Sequence, residues 1–161
     1  MMKVIDQLAN LLMQRQWKLV TAESCTGGGL AFALTSLAGS SQWFERGLVT
    51  YSNTAKIELL GVNPATLTQF GAVSQETAQE MAEGALRHSH AHISIAITGV
   101  AGPEGGTADK PVGTVWIACA AQHLATHCQL FTLSGDRDAI REQAIEQALK
   151  CLINFMNPHQ Q

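Results

Sequence analysis

Two near-continuous apolar segments constrain the fold of this 161-residue chain more than any other feature. Residues 92–98 are HISIAIT, and residues 113–121 are GTVWIACAA. Such segments lack the alternation of a half-exposed sheet and are typical of strands that are covered on both faces. We therefore predict an α/β fold, a three-layer α/β/α sandwich with helices on both sides of the sheet.

The rest of the chain alternates helix and strand patterns. We predict helices from Val4 to near Trp17, over 30–37, over 53–60, from Ser74 into the His-rich segment 88–92, and from Ile140 until Pro158 stops it, and further strands over 18–23, 44–52 and 124–133. Strands that follow one another without a helix should pair antiparallel, so we predict a mixed, mostly parallel sheet. With no repeat or linker, residues 1–161 should form one domain.

Composition excludes several classes of protein. The chain is 46% hydrophobic and 14% charged, with a formal net charge of −3 and only ten dispersed Lys and Arg residues, so nucleic acid and anionic membranes are poor partners. No apolar run approaches the roughly 20 residues of a membrane span, and the N-terminus does not match a signal peptide. Four widely spaced cysteines indicate reduced thiols. We expect a soluble, cytoplasmic protein.

A serine lies at the end of a predicted strand. Ser24 precedes Cys25, Thr26 and three glycines at 27–29, where the strand gives way to a helix. Backbone N–H groups can converge at such a turn on an oxygen bonded to the serine, as in an oxyanion hole. The alternative is that Ser24 only caps the helix and the glycines allow close packing.

A nucleophilic serine needs a base, and none of the histidines at 88, 90, 92, 123, 127 and 159 is convincingly placed. Lys56 is a better candidate, because it lies in the first turn of a helix after an apolar strand. The helix dipole and burial would both lower its pKa there. The alternative is a solvated surface lysine.

Three other features have both a structural and a functional interpretation. The HSHAH segment at 88–92 could hold a metal ion, but no acidic partner is near and a surface turn is favoured. Cys25 could be a thiol nucleophile, although a buried apolar role is favoured. The loop from Gly99 to Pro111 is either a structural loop or a backbone cradle for a phosphate or ribose.

Several motifs together resemble one family. They are TAESCTGG at 21–28, TYSNTAKIELLGV at 50–62, GAVS at 71–74, TGVAGPEGG at 98–106, KPVGTVW at 110–116 and GDR at 135–137. Their order and spacing are similar to the C-terminal domain of the competence-damage-inducible protein CinA and to the stand-alone nicotinamide-nucleotide amidohydrolases built from that domain. The resemblance spans nearly the whole chain.

The resemblance implies hydrolysis of the carboxamide of nicotinamide mononucleotide (NMN) by a Ser/Lys mechanism, without metal or cofactor, in a homo-oligomer. It gives Ser24, Lys56 and Tyr51 as the catalytic residues. The expected substrate-binding residues are Cys25, Thr26, Gly27, Gly28, Thr98, Gly99, Gly102, Gly105, Gly106, Arg137 and Arg141. The loop and one of the two arginines should receive the substrate phosphate. The alternative is an inactive nucleotide-binding or regulatory module of the same fold.

Overall fold

A computed structural model describes residues 1–157 and shows one five-stranded sheet between two layers of helices. The strands are β1 (Leu19–Glu23), β2 (Phe44–Val49), β3 (Ile93–Gly99), β4 (Thr114–Ala121) and β5 (His127–Thr132), in the order β2-β1-β3-β4-β5. The first three are parallel to one another, and β4 is antiparallel to both β3 and β5. Four of the five strands therefore run in one direction, as predicted for a mixed, mostly parallel sheet.

Six α-helices lie within the described residues. They are α1 (Met2–Arg15), α2 (Gly29–Thr35), α3 (Asn53–Leu60), α4 (Pro64–Phe70), α5 (Gln75–Arg87) and α6 (Arg137–Met156), and a single 3-10 turn covers Ser40–Gln42. None of the helices within 1–157 is both long and apolar enough to cross a membrane. The predicted stop at Pro158 and the histidine at 159 lie outside the described residues.

Each face of the sheet has its own apolar core. Leu19, Ile95 and Ile117 lie on one face, against α1, α2 and α6. Val20 and Ala96 lie on the other, against α3, α4 and α5. This alternation along strands that are buried on both faces explains why the sequence shows near-continuous apolar runs.

The main differences from the predicted elements occur at strand ends and in one helix. The strand predicted over 44–52 ends at Val49, because the chain turns toward the Ser52 cap of α3. Helix α4 was not predicted, although the Asn63 side chain caps it and Pro64 occupies its first turn, both ordinary signals of a helix start. The strand predicted over 124–133 is shorter and begins at His127.

The parallel strands place a crevice at their carboxyl ends. β1 lies between β2 and β3, so the chain leaves β1 toward α2 on one face and leaves β2 toward α3 on the other. Ligands bind at such a point in open α/β sheets because the loops diverge there. Ser24 follows β1 at this point.

Candidate active site

The Ser24 turn, residues 24–28, connects β1 to α2. The N–H of Ser24 donates to the carbonyl of Ile97 on β3 at 3.0 Å, and the carbonyl of Ser24 accepts from the N–H of Gly27 at 3.0 Å. Gly27 and Gly28 have φ values of 60° and 95°. Residues with a Cβ rarely adopt these values, so the glycines allow the chain to reverse within the turn.

A buried carboxylate anchors the turn to the helix that follows. Glu23 is 0% exposed. Its Oε1 accepts from the hydroxyl of Thr26 at 2.7 Å and from the N–H of Leu30 at 2.8 Å, and its Oε2 accepts from the N–H of Ala31 at 3.0 Å. A negative group at a helix N-terminus satisfies free N–H donors and interacts favourably with the helix dipole.

Lys56 reaches the serine from the other side of the crevice. Its Nζ lies 3.1 Å from Oγ of Ser24, 2.8 Å from the carbonyl oxygen of Thr50 and 3.3 Å from that of Tyr51. Ser52 caps α3 by accepting from the N–H of Ala55 at 3.0 Å, which places Lys56 in the first turn of that helix. The side chains of Ser24 and Lys56 are therefore in hydrogen-bonding contact.

Burial favours the neutral form of Lys56 relative to a lysine in water. Lys56 is 1% exposed, and burial lowers the pKa of its ammonium group from 10.5. A neutral amine has two protons and one lone pair. The two backbone carbonyls can accept the protons, which leaves the lone pair for the hydroxyl of Ser24. This arrangement suits a general base that takes the serine proton.

A cavity of about 290 Å³ opens beside the two side chains. Its lining includes, from the expected site residues, Ser24, Cys25, Tyr51, Lys56, Thr98, Gly99, Gly102, Gly105 and Arg137, and in addition Ala72, Val73 and Glu104. A cavity of this size is near the lower limit for a small-molecule site. The carboxylate of Glu104 was not among the predicted site residues, because nothing in the sequence of the glycine loop distinguished it.

Arg137 connects the long loop with the lysine segment. Its Nη1 donates to the carbonyl of Gly102 at 2.7 Å, and its Nη2 donates to the hydroxyl of Tyr51 at 3.1 Å. Tyr51 is 59% exposed at the mouth of the cavity. Arg137 therefore provides a cationic group at the wall of the cavity that Lys56 also lines.

Two contacts hold the end of β3 and the long loop against the chain between the end of α4 and the start of α5. Thr98, at the end of β3, donates its hydroxyl to the carbonyl of Ala72 at 2.7 Å. Lys110, near the end of the loop, donates its Nζ to the carbonyl of Phe70. The loop therefore forms a supported wall of the cavity.

The remaining expected residues lie outside the lining of the cavity. These are Thr26, Gly27, Gly28, Gly106 and Arg141. Arg141 lies behind the Ser24 turn, where its Nε donates to the carbonyl of Cys25 at 3.2 Å and its Nη2 donates to that of Thr26 at 3.3 Å. Sequence alone gave no signal for this contact, because 115 residues separate Arg141 from Thr26.

The structure also locates the cysteine and the histidines singled out in the sequence, of which Cys25 lines the cavity. Burial raises the pKa of the Cys25 thiol to about 11, so Cys25 stays protonated at neutral pH. His88 contacts the carbonyl of Gly84 at 2.9 Å, whereas His92 accepts from the N–H of Lys18 at 2.9 Å. Within residues 1–157, no group of three or more histidine, cysteine or acidic side chains is placed to hold a metal ion.

The chain is similar to a family model and to several known proteins. Residues 1–156 match the family model described as the CinA C-terminal domain. The chain is 49% identical over 152 residues to the nicotinamide-nucleotide amidohydrolase PncC of Escherichia coli, covering 94% of this chain and 92% of that protein. It superposes on the competence/damage inducible protein CihA of Agrobacterium tumefaciens with a TM-score of 0.89, 45% identity and 96% coverage of both chains.

A second solved structure is the competence damage-inducible protein A (ComA) of Klebsiella pneumoniae. It gives a TM-score of 0.92 at 39% identity and covers 99% of this chain and 98% of that one.

Proposed function

Because the chain belongs to the CinA C-terminal domain family, we propose that it is a nicotinamide-nucleotide amidohydrolase. It hydrolyses the carboxamide of NMN to nicotinate mononucleotide and ammonia, a reaction of pyridine nucleotide salvage. The observation that carries this proposal is the 3.1 Å contact between Nζ of Lys56 and Oγ of Ser24 at the cavity. The relative named for this activity supports the choice of substrate.

In the first half of the proposed reaction, neutral Lys56 accepts the hydroxyl proton of Ser24. The serine oxygen then bonds to the carboxamide carbon of NMN. The Lys56 ammonium returns the proton to the amide nitrogen as the C–N bond breaks, so ammonia leaves and a nicotinoyl ester of Ser24 remains. Burial of Lys56 supports this role, since it lowers the pKa of the base toward the working pH.

In the second half, Lys56 accepts a proton from water, and the resulting hydroxide attacks the ester. Ser24 leaves as an alkoxide and recovers the proton from Lys56, which restores the free enzyme. We propose that backbone amides of the Ser24 turn, at Cys25 and Thr26, stabilise the oxyanion formed in both halves. Within residues 1–157, the N–H of Thr26 donates to no protein acceptor.

The substrate phosphate and ribose would occupy the outer part of the cavity. Arg137 and the amides of the 99–106 loop offer donors to an anion there. Tyr51, which accepts from Arg137, lies at the mouth and would contact the sugar or the ring. This placement keeps the carboxamide at Ser24 and the phosphate toward solvent.

An inactive nucleotide-binding module of the same fold is the alternative. A module that only binds does not require a buried lysine in contact with a serine, because burying an amine without a compensating function costs free energy. The enzyme is therefore the function that the site supports best.

The test is a substrate panel with the purified protein. We expect release of equal amounts of ammonia and nicotinate mononucleotide from NMN, and much slower release of ammonia from nicotinamide riboside, which lacks the phosphate. Activity should survive dialysis against a chelator, because Lys56 and the turn amides provide the base and the oxyanion site. The proposal would be contradicted if the protein hydrolysed no member of the panel. It would also be contradicted if only zinc or magnesium restored activity after dialysis.

Three wider proposals accompany this function. Residues 1–161 form one domain that acts in the cytoplasm. The chain also assembles into a homo-oligomer, because Phe32 of α2 is 80% exposed and Val49 of the neighbouring edge strand is 46% exposed. Adjacent exposed apolar side chains favour association. Sedimentation velocity would test this, and a single monomeric species at micromolar concentration would contradict it.

A further inference from the structure

Within residues 1–157, Arg141 is the one arginine whose guanidinium donates hydrogen bonds to the Ser24 turn. It lies one helical turn after Arg137 on α6. Its Nε and Nη2 donate to two successive carbonyls, those of Cys25 and Thr26, at 3.2 and 3.3 Å. Its Nη1 lies 3.7 Å from Oδ1 of Asp138, and the Arg141 side chain is 36% exposed. Two of the three guanidinium nitrogens of Arg141 therefore donate to backbone carbonyls.

The two carbonyls belong to peptide units that shape the turn. The carbonyl of Cys25 shares its unit with the N–H of Thr26, and the carbonyl of Thr26 shares its unit with the N–H of Gly27. The N–H of Gly27 closes the turn on the carbonyl of Ser24. A cationic donor at a carbonyl fixes the plane of the peptide and polarises its N–H, because hydrogen bonds in series strengthen one another.

The turn is thus held on two sides by charged groups. Glu23 accepts from the Thr26 hydroxyl and from the first amides of α2, while Arg141 donates to the carbonyls of Cys25 and Thr26. The three glycines that follow would otherwise leave this segment free to adopt several conformations. The position of the serine oxygen relative to Lys56 depends on this segment.

The geometry does not place Arg141 at the substrate. It is not among the residues that line the cavity, whereas Arg137 is. The Nε and Nη2 of Arg141 also donate to backbone carbonyls. A phosphate bound at the cavity wall would be contacted by Arg137 rather than by Arg141.

We propose that Arg141 is a positioning residue for the hydrolysis. It acts through the carbonyls of Cys25 and Thr26, and it fixes and polarises the turn that carries Ser24 and the amides of the oxyanion site. This inference rests on the proposed function, since it concerns the same serine. A positioning role should mainly affect kcat, whereas a substrate-binding role should mainly affect KM.

The test compares Arg141→Ala with wild type on NMN and on nicotinamide riboside. We expect kcat to fall about tenfold for both substrates, with KM changed less than about twofold. Arg141→Lys should recover part of kcat, because lysine supplies a cation without the planar fork. Lys150→Ala removes an exposed cation from the same helix and should leave both constants unchanged. A rise in KM for NMN alone would overturn the proposal and assign Arg141 to the phosphate.

A second measurement separates this proposal from the choice of substrate. A fluorophosphonate probe modifies a nucleophilic serine and places its phosphoryl oxygen where the oxyanion forms. Intact-mass spectrometry should show Ser24 modified about tenfold more slowly in Arg141→Ala than in wild type or Lys150→Ala. Equal rates would overturn the positioning role. Failure of wild type to hydrolyse NMN would refute the proposed function and leave this comparison valid.

Thermal unfolding serves as the control for folding. Arg141 is partly exposed, so its replacement by Ala should retain the cooperative transition of wild type. Loss of that transition would assign Arg141 to the stability of the fold. The comparison between Arg141→Lys and wild type in the fluorophosphonate assay would then decide the positioning role.

Discussion

The buried amine of Lys56 lies beside two backbone carbonyls that can accept its protons. It also lies beside the hydroxyl of Ser24, which can donate to its lone pair. The sequence indicated Lys56 through its place after an apolar strand and in the first turn of a helix, and the family motifs indicated the same position. It could not show that the carbonyls of Thr50 and Tyr51 accept from the amine. Those contacts depend on how the chain turns between β2 and α3.

The lowered pKa of Lys56 predicts how stability depends on pH. Between the folded-state pKa and 10.5, the unfolded chain binds more protons at this position than the folded chain does. The free energy of unfolding of wild type should therefore rise with pH through that window, relative to Lys56→Met, which carries no titrating group there. Urea denaturation of both proteins from about pH 7 to about pH 10 measures the difference.

Comparison with Lys56→Met cancels the titration of the groups that the two proteins share. Thr54→Ala, an exposed change on the same helix that alters no titrating group, serves as a second control. A difference between wild type and Lys56→Met that stays constant or falls with rising pH would show that the lysine remains charged in the folded protein.

The sequence did not predict the contacts that two charged residues make near the serine. Glu23 was not singled out in the sequence, although a carboxylate at the end of a buried strand is unusual. Arg141 was one of two arginines expected to bind the substrate phosphate, and its contacts with the carbonyls of Cys25 and Thr26 were not foreseen. Both contacts depend on the orientation of a helix relative to the sheet, which local patterns do not specify.

The helix α3 that carries Lys56 is located by its packing on α5. Gly84 of α5 lies directly against the backbone of Leu60, the last residue of α3. A Cβ at position 84 would overlap the carbonyl group of Leu60, so the two helices approach closely only with glycine there. The close packing of α3 on α5 therefore sets how far Lys56 lies from the sheet.

Replacement of Gly84 by Ala should therefore affect both stability and activity. We expect the free energy of unfolding to fall by about 1–3 kcal/mol, despite the better helix propensity of alanine, because backbone atoms must move apart. Hydrolysis of NMN should also slow, since α3 shifts away from Ser24. Urea denaturation and steady-state kinetics measure the two effects, with the exposed Gln75→Ala on the same helix as the control. Unchanged stability would contradict this account of the packing.

At the scale of the element, the helices and strands with a clear sequence pattern were predicted most accurately. The apolar runs indicated β3 and β4, and the Ser74 cap marked the start of α5. The strand predicted over 44–52 was too long, because the pattern cannot distinguish the end of β2 from the connection that leads to Ser52. Seven-residue α4 gave only its cap and its proline as signals.

At the scale of the whole molecule, the topology brings distant parts of the chain to one crevice. Ser24 follows β1, Lys56 lies in the first turn of α3 after β2, Thr98 lies near the end of β3, and Arg137 begins α6. The sequence predicted the layers and the mixed sheet, because alternating helices and apolar strands have few other solutions. It could not predict which residues of the glycine loop line the cavity, since loop conformation depends on contacts such as that between Lys110 and Phe70.

The central claim is that Ser24 and Lys56 act together in the hydrolysis of NMN. The most direct measurement is the kcat of NMN hydrolysis for wild type, Ser24→Ala, Lys56→Arg and the double variant, with folding of each checked by thermal unfolding. We predict that each single change lowers kcat by at least about a thousandfold and that the double change is scarcely worse, because the two residues share one proton transfer. Lys56→Arg keeps the positive charge but cannot supply a neutral nitrogen. Near-native kcat in folded Lys56→Arg would contradict the account.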